Sequence, residues 1–372
     1  MMPGMRDFKL ASLAVAPPGI RPKVDEIKDD EIRKVAARYI ESVEMVVGVA
    51  QFPIMAFRAG DNTRQCEDQA MLKVVNELLP ERSLTVTEIA EVKEQFDKLL
   101  PPLVKSIARS PAASEMLSQV GANNLTNFVN RYIHPSMRLG IEGWLCSILV
   151  NGWTVFESLA GNLWEKAINV HPVCLSELSG KYPNRITALA KDRKKEDKQE
   201  QKQKQQKKDD AKDSSVAGEG KTILLSDIHK QTRGCYDLSA CMGTLLRKSV
   251  SFTTLDGIRE AYSRAFSEHS EKVDRALAAR EIDMLKALRN LIVHKSGHAD
   301  DEYHRERKGL NQLPLLAPDE KLVVDGEDVY RFVYPVLKRC SELIHAVDGW
   351  IATHRQLESQ KKERDGKDDD AD

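Results

Sequence analysis

Apolar residues recur at helical spacing along most of the chain. Between about residues 28 and 50, Ile32, Val35, Tyr39, Ile40, Val43, Val46 and Val47 return at steps of three and four, which predicts a helix. A second, short helix fits 67–79. Thr85-Val86-Thr87-Glu88 has the form of a capping box opening a third, interrupted at Pro101-Pro102, and Ser110-Pro111 reads as an N-cap with Pro at the first position of a fourth. From about 137 to 169 the pattern predicts one long helix whose broad apolar face carries Trp144, Leu145, Ile148, Leu149, Trp153, Phe156, Leu159, Leu163, Trp164 and Ile168. Gly143, Gly152 and Gly161, nine apart, read as points of close packing on it.

Beyond residue 220 the chain reads as a short strand or turn at 223–229, a helix at 236–248, and a helix capped by Thr253 or Thr254 that runs through 266. A long helix from about 270 to 294 and a polar loop at 295–320 follow. Lys321–Val324 with the Asp325-Gly326 turn predicts a short β-hairpin arm. The last helix spans about 328–355, with Pro335 kinking its first turns. Its Val333, Val336, Cys340, Leu343, Val347 and Trp350 alternate steps of three and four, a coiled-coil-like seam.

Three segments lack such a pattern. Residues 1–23 carry Pro and Gly and read as an extended, flexible N-terminus. Residues 191–212 hold ten basic and six acidic residues, and every other position but one Ala is Gln. Such a stretch buries too little apolar surface to offset its ordering entropy, so 191–220 reads as a solvated insert. The tail 356–372, ending KDDDAD, reads as disordered. The organisation is then a helical N-terminal region over 24–136 and a helical domain over 137–355, an all-α protein.

Composition narrows the function. The 372 residues carry 56 Lys+Arg against 57 Asp+Glu, so any nucleic-acid contact must come from a local basic patch. The six cysteines, at 66, 146, 174, 235, 241 and 340, include no C-x-x-C pair, which fits a reduced, cytoplasmic setting. The N-terminus makes a poor secretory signal. The most apolar stretch, 143–156, is too short to span a bilayer and is bracketed by Glu142 and Glu157, so it reads as a buried helix and no membrane is expected. No phosphate loop or nucleophile motif is present, which leaves a nucleotidyltransferase or phosphate-loop enzyme without support.

One constellation carries chemistry. The 270–294 helix ends in ALRNLIVHKSGHADDEYH, with Met284, Leu285, Leu288, Leu291 and Ile292 as its buried stripe. Arg289, Asn290 and His294 lie off that stripe. Asn290 and His294, four apart, share a face and are placed to hydrogen-bond. Arg289 and His294 are about 140° apart around the axis, so they are expected to border one cleft without touching. Ser296-Gly297 ends the helix before His298, and no Glu stands between His294 and His298, so no metal or other cofactor is expected. Cys235 and Cys241 read as packing or incidental thiols. Tyr303, His304, Arg305 and Arg307 form a basic-aromatic patch just beyond, suited to stacking an RNA strand.

Arg289-Asn290-Leu291-Ile292-Val293-His294, with Gly297 and Asp300 following, resembles the Arg–polar–x–His motif of the HEPN superfamily of helical ribonucleases, and GWTVFESLAGNLWEKAIN resembles their first domain helix. The likeness covers about 140–355 and leaves the N-terminal 135 residues without a match. It implies a metal-independent endoribonuclease that cleaves RNA through its own 2′-hydroxyl, with His294 moving the proton, Arg289 holding the phosphate and Asn290 orienting the imidazole. It also implies a homodimer in which two motifs meet, and a biological role as a toxin or phage-defence effector with an antitoxin or regulatory partner. Some members of the superfamily only bind, so the alternative is a non-catalytic dimerisation or nucleotide-binding module.

Overall fold

In a computed structural model, the structure describes residues 8–78, 93–98, 111–132, 134–176, 178, 238, 240–266 and 269–368. The expectations at 85–88, 101–102, 110, 191–220 and 223–229, and Cys235, lie outside them. Among the described residues all regular structure is helical, and the one β-type pairing is an isolated antiparallel bridge between His298 and Lys321. The main helices are α1 (Asp30–Leu78), α2 (Pro111–Tyr132), α3 (Pro135–Val170), α4 (Pro172–Leu175), α5 (Met242–Leu246), α6 (Leu255–Ala265), α7 (Glu271–Leu277), α8 (Arg280–Lys295), α9 (Asp301–Arg307), α10 (Gly326–Phe332) and α11 (Tyr334–Asp368).

Several boundaries depart from the sequence pattern, each for a local reason. The two helices expected at 28–50 and 67–79 are the single helix α1, which runs through Pro53. Proline lacks the N–H that would satisfy the carbonyl four residues back. That carbonyl belongs to Val49, and the indole Nε1 of Trp144 donates to it at 3.0 Å. The tail expected to be disordered continues α11 to Asp368, in keeping with the helix-forming Lys, Arg, Glu and Gln that fill it. Pro335, the second residue of α11, stands where its missing N–H breaks nothing; the chain is interrupted at Val333 instead.

The expected hairpin arm is absent, and Gly326 opens α10. Asp325 and Asp328 form the cap reciprocally: the Asp328 N–H donates to Asp325 Oδ1 at 2.9 Å and the Asp325 N–H donates to Asp328 Oδ2 at 3.1 Å. Gly326 also permits a close approach, since a Cβ there would meet Lys9 O at 2.2 Å. The polar loop at 295–320 contains α9, capped by Asp300, with acidic residues in its first turn and basic residues in its last.

Packing divides the chain into two units, and the division falls inside α1 at Val46/Val47 and inside α3 at Leu145/Cys146. The first unit comprises residues 1–16, 47–145 and 324–330. Its core includes Phe8, Leu10, Leu13, Ile54, Val129 and Val329. The N-terminal segment, expected to be flexible, is pinned there from Phe8 onward. Asn130 Nδ2 donates to Phe8 O and Asn130 Oδ1 accepts from Phe8 N, both at 3.0 Å, so one amide satisfies both backbone groups. The Arg138 guanidinium lies 4.4 Å from the Phe8 ring centre.

The second unit comprises residues 17–46, 146–323 and 331–372. Trp164, Tyr262, Phe156, Phe266 and Phe332 are among its largest fully buried side chains. Two polar tips tie α3 to α6: Trp164 Nε1 donates to Ala261 O and Tyr262 Oη donates to Ala160 O, each at 2.9 Å. Gly152 lets α3 approach the start of α11, because a Cβ there would lie 2.7 Å from Val333 Cγ1. Asp348 on α11 accepts from Lys28 N and Asp29 N, and Asp29 in turn caps α1 by accepting from Glu31 N and Ile32 N.

By length and composition alone, Asp30–Gly60 and Pro135–Val170 are long and apolar enough to cross a bilayer. Both segments also place residues in the cores just described, Val43 and Ile54 from the first and Leu149 and Trp164 from the second.

The helix expected from 270 to 294 is broken between α7 and α8, where Ala279 is extended at φ −66° and ψ 132°. Arg259 of α6 fills the break. Its Nε donates to Leu277 O at 3.1 Å, and its two Nη groups donate to the two carboxylate oxygens of Asp283 at 3.1 and 2.9 Å. The Arg259 side chain is 4% exposed. Arg259→Ala removes two charge-assisted hydrogen bonds to the buried Asp283 carboxylate and the one to Leu277 O, so equilibrium urea unfolding should show a loss of at least about 1.5 kcal/mol. Arg259→Leu combined with Asp283→Leu should recover most of it.

Candidate active site

Helix α8 presents the motif. Its buried side holds Ile282, Leu285, Leu288 and Leu291, which leaves Arg289 and Asn290 half-buried and His294 exposed. Ser296 takes the left-handed conformation at φ 53°, and both Ser296 N and Gly297 N donate to Leu291 O. The helix therefore ends at Lys295, as the Ser-Gly pair predicts. His298 leaves the helix axis and its Nδ1 lies 3.0 Å from Asp319 O. Among the described residues no group of three His, Cys, Asp or Glu side chains is arranged to hold a metal ion.

The three motif residues come together more closely than the angular argument predicts. Arg289 Nη1 lies 3.0 Å from His294 Nε2 and donates to Asn290 Oδ1 at 3.1 Å. The length of the arginine side chain spans the angular offset that a backbone wheel sets between positions 289 and 294. The Asn290 carboxamide oxygen thus holds the guanidinium, where the sequence pattern had it orient the imidazole. Guanidinium groups only donate, so Nε2 is the acceptor and the proton of the neutral ring sits on Nδ1, a tautomer assigned from this geometry.

These groups border an open cleft of about 460 Å³. Trp153 of α3, Thr253, Thr254 and Leu255 at the start of α6, and Asp300, Glu302, Tyr303 and Glu306 around α9 complete its walls with Lys286 and Lys295. The cations are not equivalent. Lys286 pairs with Glu306 at 3.1 Å and Lys295 with Asp300 at 3.1 Å. The Tyr303 backbone N–H, with Lys295, holds the Asp300 carboxyl below the ordinary carboxylate range. Arg289 has no carboxylate within ion-pair distance among the described residues, and its side-chain contacts there are Asn290 Oδ1 and His294 Nε2.

The four residues expected to form an RNA-binding patch meet different surroundings. Tyr303 lines the cleft but is 2% exposed, and its hydroxyl donates to Pro314 O at 2.8 Å, so the ring forms wall and has no free face for a base. Arg307 spends its Nε on the same carbonyl at 3.1 Å. His304 is half-buried with a buried, unbonded Nε2, and Arg305 is exposed; neither lines the cleft. The sequence pattern predicts a loop here, and the helix α9 turns the patch's members to different sides.

Two residues outside the motif belong to the site. Lys286, one turn before Asn290, follows from helical spacing alone. Glu157, one turn after Trp153 on α3, feels the Arg289 charge. Burial pushes its carboxyl above the ordinary range, with Arg289 and a hydrogen bond from Trp153 opposing that rise. A folded-state carboxyl raised in this way lowers stability once the pH exceeds its ordinary range and costs nothing below it. Scanning calorimetry from pH 4 to 8 should find Glu157→Gln at least as stable as the parent at neutral pH, with the gap closing toward pH 4. A parent more stable at neutral pH would mean that the Arg289 attraction wins. Comparison with family models, with curated proteins and with solved structures gave no match, so the reading of this cleft rests on its own geometry and chemistry.

Proposed function

We propose that the cleft on α8 is the active site of a metal-independent endoribonuclease of HEPN type. One observation carries the reading: a guanidinium with no carboxylate partner among the described residues lies 3.0 Å from a solvent-exposed imidazole on the wall of an open cleft. A phosphodiester supplies the anion that such an arginine lacks, and a fork of N–H donors matches its non-bridging oxygens. The imidazole beside that arginine is the side chain most often used to move a proton in catalysis.

The reaction follows from these two groups. His294 Nε2 takes the proton of the substrate's 2′-hydroxyl as that oxygen bonds to the adjacent phosphorus. The bond from phosphorus to the 5′-oxygen breaks, and a proton returns to that leaving oxygen. Arg289 offsets the charge that builds on the phosphorane oxygens. A phosphate drawing Arg289 toward itself also frees Nε2 to act as base. A homodimer would bring a second Arg–His pair to the leaving-group side, one pair accepting and the other supplying a proton. The proposed partners are therefore RNA and a second copy of the chain, in a reduced, cytoplasmic setting. A role as a toxin or phage-defence effector, with an antitoxin or other regulator, rests on the sequence resemblance alone.

Incubation of the purified protein with labelled RNA in EDTA tests the chemistry. Cleavage should persist, leaving a 2′,3′-cyclic phosphate. His294→Ala and Arg289→Ala should each lose at least about 10²-fold while remaining folded. Asn290→Ala should lose less. Undiminished cleavage by His294→Ala would remove the motif from the mechanism and favour a non-catalytic binding module, and a product with a 5′-phosphate would point to metal-activated water.

Sedimentation equilibrium tests the assembly. At micromolar concentration it should give about twice the 41.9 kDa chain mass. A strict monomer that still cleaves RNA would rule out the shared cleft.

A further inference from the structure

A second pocket lies between α1 and α3, within the second unit and lined by none of the residues of the cleft on α8. Its volume is about 160 Å³, close to the roughly 150 Å³ that accommodates a six-carbon ring in a protein interior. Val35, Val155 and Leu159 give it an apolar floor, each at most 6% exposed.

The polar groups around that floor differ in what they have left to offer. Glu165 is the one acid, and both its oxygens are engaged: Oε1 accepts from Thr244 and Oε2 from Arg247, each at 2.6 Å. Asn162 Oδ1 accepts from Arg247 at 2.9 Å, which leaves its NH₂ group as the free end. Lys166 places one of its three N–H groups on Glu31 at 3.0 Å. Arg38 and Ser158 make no side-chain hydrogen bond or ion pair among the described residues. The spare capacity is thus mostly on the donor side: a guanidinium, two ammonium protons and an amide NH₂, with a hydroxyl that can donate or accept. A ligand that matches it presents acceptors and negative charge toward Arg38 and Lys166 and an apolar body toward the floor.

We propose that the α1–α3 pocket is a binding site for a small organic anion, a phosphate monoester or carboxylate carrying a short apolar body. Arg38 and Lys166 hold the anion, Ser158 and Asn162 complete its hydrogen bonds, and Val35, Val155 and Leu159 cover the apolar part. The pocket is independent of the nuclease reading, because none of its residues lies in the proposed active site.

The full-length protein can be titrated with phenyl phosphate by calorimetry, with phenol and inorganic phosphate as controls that each lack one half of the ligand. Saturable binding of phenyl phosphate tighter than either control is expected. Arg38→Gln should weaken it about 10-fold, the scale of one hydrogen bond to a charged group, and Ser158→Ala should weaken it less. Both side chains are exposed, so the melting temperature should not move. Arg289→Ala should leave the binding intact, which separates this pocket from the cleft on α8. Equal binding of phenol, affinity unchanged in both Arg38→Gln and Ser158→Ala, or binding lost in Arg289→Ala would each overturn the proposal.

Discussion

The geometry of the cleft on α8 depends on the Arg259 guanidinium. Alanine is the strongest helix former, and Ala276, Ala278 and Ala279 by themselves favour an unbroken helix from 271 to 295. The chain breaks there because one buried arginine satisfies Leu277 O at the end of α7 and, with its other two nitrogens, both oxygens of Asp283 in the first turn of α8. A buried charge pair of this kind contributes little net stability over an apolar replacement, but leaving either member alone is costly. Its consequence here is positional. It sets where α8 starts, and hence which face of α8 carries Arg289 and His294 to solvent.

Within the cleft, charge is distributed unevenly by pairing rather than by composition. Lys286 and Lys295 are held by Glu306 and Asp300, while Arg289 rests on the neutral Asn290 and His294. An incoming anion therefore gains most at Arg289, where no carboxylate among the described residues has to be displaced. Glu157 on α3 also feels the Arg289 charge, and burial raises its carboxyl above the ordinary range against that attraction. The same logic applies in the α1–α3 pocket, where Glu165 is saturated by Thr244 and Arg247 and Arg38 is not.

The helical character of the protein, the span of α3, the Thr254 cap of α6 and the end of α8 at Ser296-Gly297 were all legible in the sequence. So were Arg289, Asn290 and His294 as one constellation. These features follow from periodicity and capping, which act over a few residues and are written locally. What was misread shows where locality ends. Pro53 signals a break, yet α1 continues because Trp144, ninety-one positions away, supplies the donor that Val49 O lacks. The segment before Ile20 carries Pro and Gly, yet Asn130 fixes Phe8.

The sequence by itself determined the helices, their caps and the chemistry that the motif residues offer, because backbone propensity and side-chain identity need no distant partner. Only the tertiary structure decided that Arg289 touches His294, that Tyr303 becomes wall instead of a stacking platform, and that α7 and α8 are separate. Each of those outcomes turns on where a long side chain finds its partner or its burial. Arginine reach, a hydroxyl meeting Pro314 O and a guanidinium closing a helix break depend on which elements pack together, and spacing along one helix carries no record of that.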